Sequence, residues 1–370
     1  MEIILNSLQN AGHLLTYYVI PVVIVLGIMI FFHELGHFLV AKLFNVRVLK
    51  FALGFGPKIA ARVVGETEYS VRYIPLGGFV KMLGEEINDE ESEEILPYDE
   101  DRAFNRQHPL KRIAIVAAGP VFNLILAVIL FWGLFWVKGD IVTPAKIHEV
   151  VGNSPAQAAG LEPGDLIIRA KGTEIKDLSD FHEVIDKNIG VSISLTVLRG
   201  EKEINTEIIP EGTPSVNDFG EPVRTGKIGI SVERVRVSLN IFEAAGVALD
   251  ETWQVIRLTC LVVVKLFQGS VSLETVGGPI MIGQLTGEIV QENVIRIIPF
   301  MAMISINLAI LNLFPIPILD GGVILFLLFE LALRRPVSLE KQEFAQKIGL
   351  SLLLLLMMVV FYNDILRVVK

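Results

Sequence analysis

Cysteine is almost absent from this chain of 370 residues. One thiol, Cys260, cannot close an intrachain disulfide or build a zinc site by itself, so any metal must be held by histidine and carboxylate. Charge is scarce as well. Asp, Glu, Lys and Arg make up 20% of the residues against 52% hydrophobic, and the mean hydropathy of +0.56 excludes a wholly soluble or disordered protein. Positive charge is the rarer sign, with 32 Lys and Arg against 41 Asp and Glu, a net charge of −9. No broad basic field is available, and nucleic acid is excluded as a partner. No Lys or Arg precedes Lys42, so the positive region of a cleavable signal peptide is missing and the first apolar stretch is expected to stay attached.

Long apolar runs are abundant in return. Leu14 to Phe32 carries no charge and is long enough to cross a hydrocarbon core of about 30 Å. Further spans are expected at Ile113 to Val137, from Ile297 through Leu319 to Leu333, and at Ile348 to Tyr362, the third interrupted by Pro315, Pro317, Gly321 and Gly322. Basic residues cluster between the first two spans (Lys42 to Arg112) and between the last two (Arg334 to Lys347). By the positive-inside rule both loops are expected in the cytoplasm, with both termini and the insert at 138–243 outside. The acidic run from Glu85 to Asp101 carries little weight in that rule and reads as a solvated loop. Ala248 to Phe267 contains Arg257 and Lys265 and reads as a helix lying at the outer interface. A fifth crossing there would put Arg334 and Arg335 outside.

The insert alternates short β-rich runs with turn residues. Strands are expected at Ala145 to Val151, Leu166 to Ala170, Ser192 to Arg199, Glu203 to Ile209 and Lys227 to Val235, and helices at Ser154 to Ala159 and Leu178 to Lys187. That is one small α+β domain. The run from Asn153 to Gly172, with Gly164 and Asp165 at the turn before a strand, resembles the PDZ domains of bacterial proteases. The later run Gly226 to Ile230 is similar to the PDZ peptide-carboxylate loop in a permuted position, which implies a peptide-binding role for Ile228, Gly229 and Ile230.

The end of the first span reads His33-Glu34-Leu35-Gly36-His37. Residues four apart share one face of a helix, so both imidazoles can bind a single zinc with Glu34 beside them. Ionisable groups in an apolar helix are costly in hydrocarbon and usually face a protein interior or wet cavity. A catalytic zinc requires a third ligand. His13, His108, His148 and His182 lie at a span end, in a loop or in the insert. Asp320 is the carboxylate that depth favours: His33 lies about 19 residues from Leu14, and Asp320 about 21 from Pro299. Two prolines and two glycines around Asp320 suggest unwound backbone, which membrane depth tolerates only beside protein or a wet cavity.

With these residues in view, the chain resembles the site-2 protease family of intramembrane zinc metalloproteases over nearly its whole length. The HELGH run is similar to the family's first motif, and Asn312 to Gly322 (NLFPIPILDGG) is similar to its second, with Asp320 as third ligand. The resemblance implies Zn2+ as cofactor, Glu34 as general base, a substrate-holding role for Asn312 and a supporting one for Asn307. Gly54 to Pro57 and Tyr73 to Met82 resemble the strands of a membrane-reentrant β-loop, which implies substrate-binding positions at Gly54, Gly56, Gly77 and Gly78. The run Ala117 to Asn123 resembles the family's second span.

The implied architecture is a multi-pass α-helical membrane protein with four transmembrane helices, a membrane-reentrant β-loop and one inserted periplasmic PDZ domain of α+β type. Its parts would be a first membrane half (1–137), the PDZ domain and linker (138–243), interfacial amphipathic helices (244–296) and a second membrane half (297–370). The implied place is the bacterial inner membrane. Implied partners are membrane lipid, an upstream site-1 protease, and single-pass substrates of anti-sigma-factor type already trimmed outside. Two departures stand out: there is room for one PDZ domain instead of a tandem pair, and Val323 stands where many relatives have His or Arg. Clearance of leftover signal peptides is an alternative use of the same site. A catalytically silent PDZ sensor with a structural metal clip is another, although a closed site has no use for Glu34.

Overall fold

The computed structural model describes residues 12, 15–85, 97–217, 222–271 and 277–369. His13 and most of the acidic run, residues 86–96, lie outside the described residues. The chain divides into two compact units: Phe135–Ala245 with Lys265–Val271, and the remainder of the described chain.

The larger unit begins with a π-helical turn, Leu15–Val19, that runs into α1 (Ile20–Leu43). The expected end at Phe32 falls eleven residues short, because the ionisable residues from His33 onward face protein and do not stop the helix. The helix ends at Phe44, and Asn45 turns the chain with φ of 60°. Strands β1 (Val48–Val64) and β2 (Thr67–Met82) form a hairpin that folds over itself. Lys50 pairs with both Lys81 and Glu68, and Leu53 with both Gly78 and Val71, so the first half of β1 is flanked on two sides by β2. The fold-back needs sharp bends, supplied where Gly54 and Gly56 take φ of 90° and 81°. One outer edge of this curled sheet is Gly78 to Met82 and the other is the second half of β1.

A long helix α2 (Pro109–Lys138) packs on α1 and the sheet through Ala41, Val48, Val80, Phe104 and Ile115. After the smaller unit come helices α5 (Ile241–Phe267), α6 (Pro279–Glu292), α7 (Ile297–Asn312), α8 (Asp320–Leu333) and α9 (Leu339–Val369). Among the described residues four helices are long and apolar enough to cross a membrane: Leu15–Leu43, Pro109–Lys138, Val294–Asn312 and Glu340–Arg367. The expected third span is therefore two helices. The first stops at Asn312, and residues 313–319, with Pro315 and Pro317, are non-helical. Asp320 lies at the first position of α8 and not within the unwound stretch. A carboxylate at that place suits the positive end of the helix dipole.

The smaller unit holds a four-stranded sheet in the order β6-β5-β7-β8, built from β5 (Leu166–Ala170), β6 (Thr173–Glu174), β7 (Ile193–Arg199) and β8 (Lys202–Ile208). Helices α3 (Pro155–Ala158) and α4 (Leu178–Asp186) open on Ser154 and Asp177, whose side chains accept backbone N–H bonds. Phe181 and Ile185 of α4 pack with Ile167, Leu195 and Val197 in one apolar core. Asp165 is pinned by Arg199 at 2.7 Å; burial alone would raise its carboxyl, but the guanidinium hydrogen bonds hold it below the usual range. Short pairs join β4 (Ile147–Val150) to β11 (Ile230–Val232) and β3 (Asp140–Val142) to β12 (Val235–Val237). The expected strand at Lys227 to Val235 is thus interrupted twice: Gly229, with φ of 79°, separates Lys227 from β11, and Glu233 and Arg234 separate β11 from β12. The hairpin β9 (Glu211–Val216) with β10 (Pro222–Lys227) was not expected, since Gly212, Pro214 and Gly226 mask any apolar alternation.

Candidate metal centre

His33 and His37 project from one face of α1, with ring centroids 4.8 Å apart. Their Nε2 atoms stand 3.2 Å from each other, and Asp320 brings Oδ2 to 3.2 Å from His33 Nε2 and Oδ1 to 3.7 Å from His37 Nε2. Two ligands at 2.0–2.1 Å from a tetrahedral zinc are separated by about 3.3 Å, so the three donors have the spacing that one ion requires. Asp320 Oδ2 is buried and accepts no hydrogen bond. An orphaned carboxylate oxygen facing two imidazoles fits a cation. Among the described residues these three form the one group of His, Cys, Asp or Glu side chains close enough to share a metal.

The polypeptide builds this meeting from three directions. The four-residue spacing on α1 aligns the imidazoles, and the break at residues 313–319 starts α8 where its first side chain can reach them. Helix α2 supports the rings from behind: Ile115 O is 2.9 Å from His37 Nδ1, and Asn123 Nδ2 is 3.3 Å from His33 Nδ1. Gly119 lies between these two residues, and a Cβ there would overlap both rings. The HExxH pattern makes the imidazoles legible, whereas the resemblance of Ala117 to Asn123 to a family span assigns those residues no supporting role.

Glu34, both histidines and Asp320 line a cavity of about 1000 Å³, with Val80 and Met82 on its sheet wall. Glu34 hydrogen-bonds the backbone of Val80. Gly78 adjoins it, since a Cβ at Gly78 would stand 3.2 Å from Glu34 Cγ. Gly54, Gly56 and Gly77 serve the bends of the sheet and are not among the cavity lining. Asn312 Nδ2 lies 3.4 Å from His33 Nε2. Asn307 is turned elsewhere, its Oδ1 accepting from Thr259 Oγ1 of α5 at 2.8 Å. His108 accepts from Leu110 N near the start of α2, and His148 and His182 belong to the smaller unit, so none of these joins the centre. In the smaller unit Ile228 is buried, and the carbonyls of Ile228 and Gly229 accept from Ala156 N and Val151 N. Ile230 begins β11.

The sequence model of Peptidase family M50 matches residues 21–356. The chain belongs to that family, that of the site-2 proteases, and is a zinc metalloprotease. A protein of Agrobacterium fabrum named "Putative zinc metalloprotease" is 31% identical, over 98% of this chain and 99% of its own. Proteins of the same name from Clostridium acetobutylicum and Campylobacter jejuni are 34% and 35% identical, covering 94% of this chain and 97% and 93% of their own. A solved PDZ domain of an SdrC-like protein from Listeria monocytogenes is 22% identical, covers 25% of this chain and 85% of its own, and has a TM-score of 0.19.

Proposed function

We propose that His33, His37 and Asp320 ligate the zinc, that Glu34 is the general base, and that the chain hydrolyses peptide bonds within membrane segments. The observation that carries this reading is the convergence of two imidazoles and a buried, unbonded carboxylate oxygen at 3.2–3.7 Å, inside an apolar helical unit. Held by these residues, zinc would supply Lewis acidity and make a water more acidic. Glu34 takes the proton from the attacking water and returns it to the leaving amine. Its bond to Val80 holds the carboxylate against the sheet wall of the cavity.

A membrane helix hides its carbonyls in its own hydrogen bonds, so a substrate must first become extended. Phe79 to Met82, on an outer edge of the curled sheet, lie along the cavity wall and offer the backbone groups a departing helix loses. Asn312 would hold the substrate from the imidazole side. Exposed Ile59, Val63, Tyr73 and Ile74 on the hairpin fit burial in lipid as a reentrant loop.

We assign the protein to a bacterial inner membrane, with its basic loops in the cytoplasm and the smaller unit outside as a PDZ domain. Helices α5 and α6 would lie at the outer interface. Single-pass proteins already trimmed outside by a site-1 protease, of anti-sigma-factor type, are the proposed substrates. Leftover signal peptides could enter the same cavity, and cleavage rates on the two kinds of segment separate the readings. Replacing Glu34 with Gln is expected to leave zinc bound and lower turnover by about 10²–10⁴-fold or more. Undiminished cleavage by the zinc-loaded Glu34→Gln protein would remove the assigned base.

A further inference from the structure

The side of the imidazoles turned away from Asp320 carries an inference that rests on reading His33 and His37 as zinc ligands. Ile115, Gly119 and Asn123 are spaced by four and form one stripe along α2. Helices α1 and α2 are antiparallel here, so His37 meets Ile115 while His33 meets Asn123. The carbonyl of Ile115 can only accept, and His37 Nδ1 therefore carries a proton and leaves the Nε2 lone pair free. His33 needs the same arrangement. A ring that gives its Nε2 lone pair to a metal holds its proton on Nδ1 and requires an acceptor there.

Asn123 is the group in that place. It is completely buried, its backbone carbonyl accepts from Ser305 Oγ at 2.8 Å, and its side-chain Oδ1 has no donor. With Nδ2 toward His33, the amide can only donate, which suits a ring protonated on Nε2 and facing Asp320. A half-turn of the amide exchanges oxygen and nitrogen without changing the shape of the side chain. Oδ1 then gains the donor it lacks, and Nε2 is released toward the metal. We propose that Asn123 is the positioning residue of His33, its side-chain oxygen accepting the Nδ1 proton in the zinc-loaded protein. Ile115 does the same for His37 from the backbone. One helix thereby sets the tautomer of both imidazoles, and Gly119 between them makes the close approach possible.

The test uses full-length protein in detergent micelles, with zinc affinity measured by competition against a chromophoric chelator and folding by thermal unfolding of the metal-free form. Asn123→Leu removes the acceptor and is expected to weaken zinc by roughly 10–100-fold. Asn123→Asp keeps an acceptor oxygen and cannot donate; it is expected to bind zinc within about threefold of the parent. Parent-like affinity in Asn123→Leu would overturn the proposal. Loss of zinc by a folded Asn123→Asp protein would also overturn it, and this arm decides even where the Leu variant does not fold. A His33→Ala protein measured alongside separates the two levels: zinc held as tightly without His33 contradicts the ligand assignment itself, whereas zinc that depends on His33 and is indifferent to residue 123 contradicts only the role of Asn123.

Discussion

Gly119 shows how much of a metal centre can depend on a missing side chain. Its Cα sits where a methyl group would strike both imidazoles, so Gly119→Ala is expected to spread the rings and weaken zinc binding about tenfold or more, measured by the same chelator competition. Retained affinity would mean the rings have room that the packing does not show. The spacing of His33 and His37 is written in the sequence because a helix repeats every 3.6 residues, and Asp320 could be inferred from matching depth. The support given by Asn123 and Gly119 could not, because a small residue and an amide inside an apolar helix resemble any other packing position. Asn307, to which the resemblance gave a supporting role, bonds to Thr259 on another helix, a partner that no local pattern reveals.

Between elements, two polar ties hold the unit that carries the centre. Arg112 at the start of α2 donates to both oxygens of Glu330 near the end of α8, at 3.0 and 3.2 Å, with both side chains mostly buried. Because α8 begins with Asp320, this tie fixes the direction of the helix that presents the proposed third ligand. Arg112→Met is expected to cost about 2 kcal/mol of stability and to weaken zinc, by thermal unfolding and chelator titration. An unchanged affinity would place the orientation of α8 elsewhere. At the hairpin tip, the hydrogen bond from Arg102, together with Lys42, holds the Glu66 carboxyl down at about 2 from its usual 4.5. Its folded value is depressed, so the tie is fully present above about pH 4.5 and is lost as pH falls toward 2. Hydrogen exchange at the tip should therefore be unchanged from neutral pH to about 5 after correction for intrinsic rates, and accelerate below it. These ties were not legible beforehand because their partners lie 36 and 218 residues apart. The helices and the central strands of the smaller unit were legible, since apolar period and caps are local; the hairpin β9–β10 was not, since its glycines and proline hide the alternation.

For the whole molecule, the near absence of cysteine turns into an experimental convenience. In a Cys260→Ser background, Glu201→Cys in the smaller unit and Arg335→Cys between α8 and α9 are both at exposed positions. The proposed orientation predicts that a membrane-impermeant maleimide labels position 201 in intact spheroplasts and position 335 only after lysis; labelling of position 335 without lysis would contradict it. The proposed chemistry depends on three side chains, from helices far apart in the chain, sharing one ion. Zinc content of the purified full-length protein tests that claim most directly. The account predicts one zinc per chain in the Glu34→Gln protein, bound through nitrogen and oxygen at about 2.0–2.1 Å by X-ray absorption, and its loss when Asp320→Ala is added. Full zinc occupancy with an unchanged absorption spectrum in the protein lacking Asp320 would contradict it.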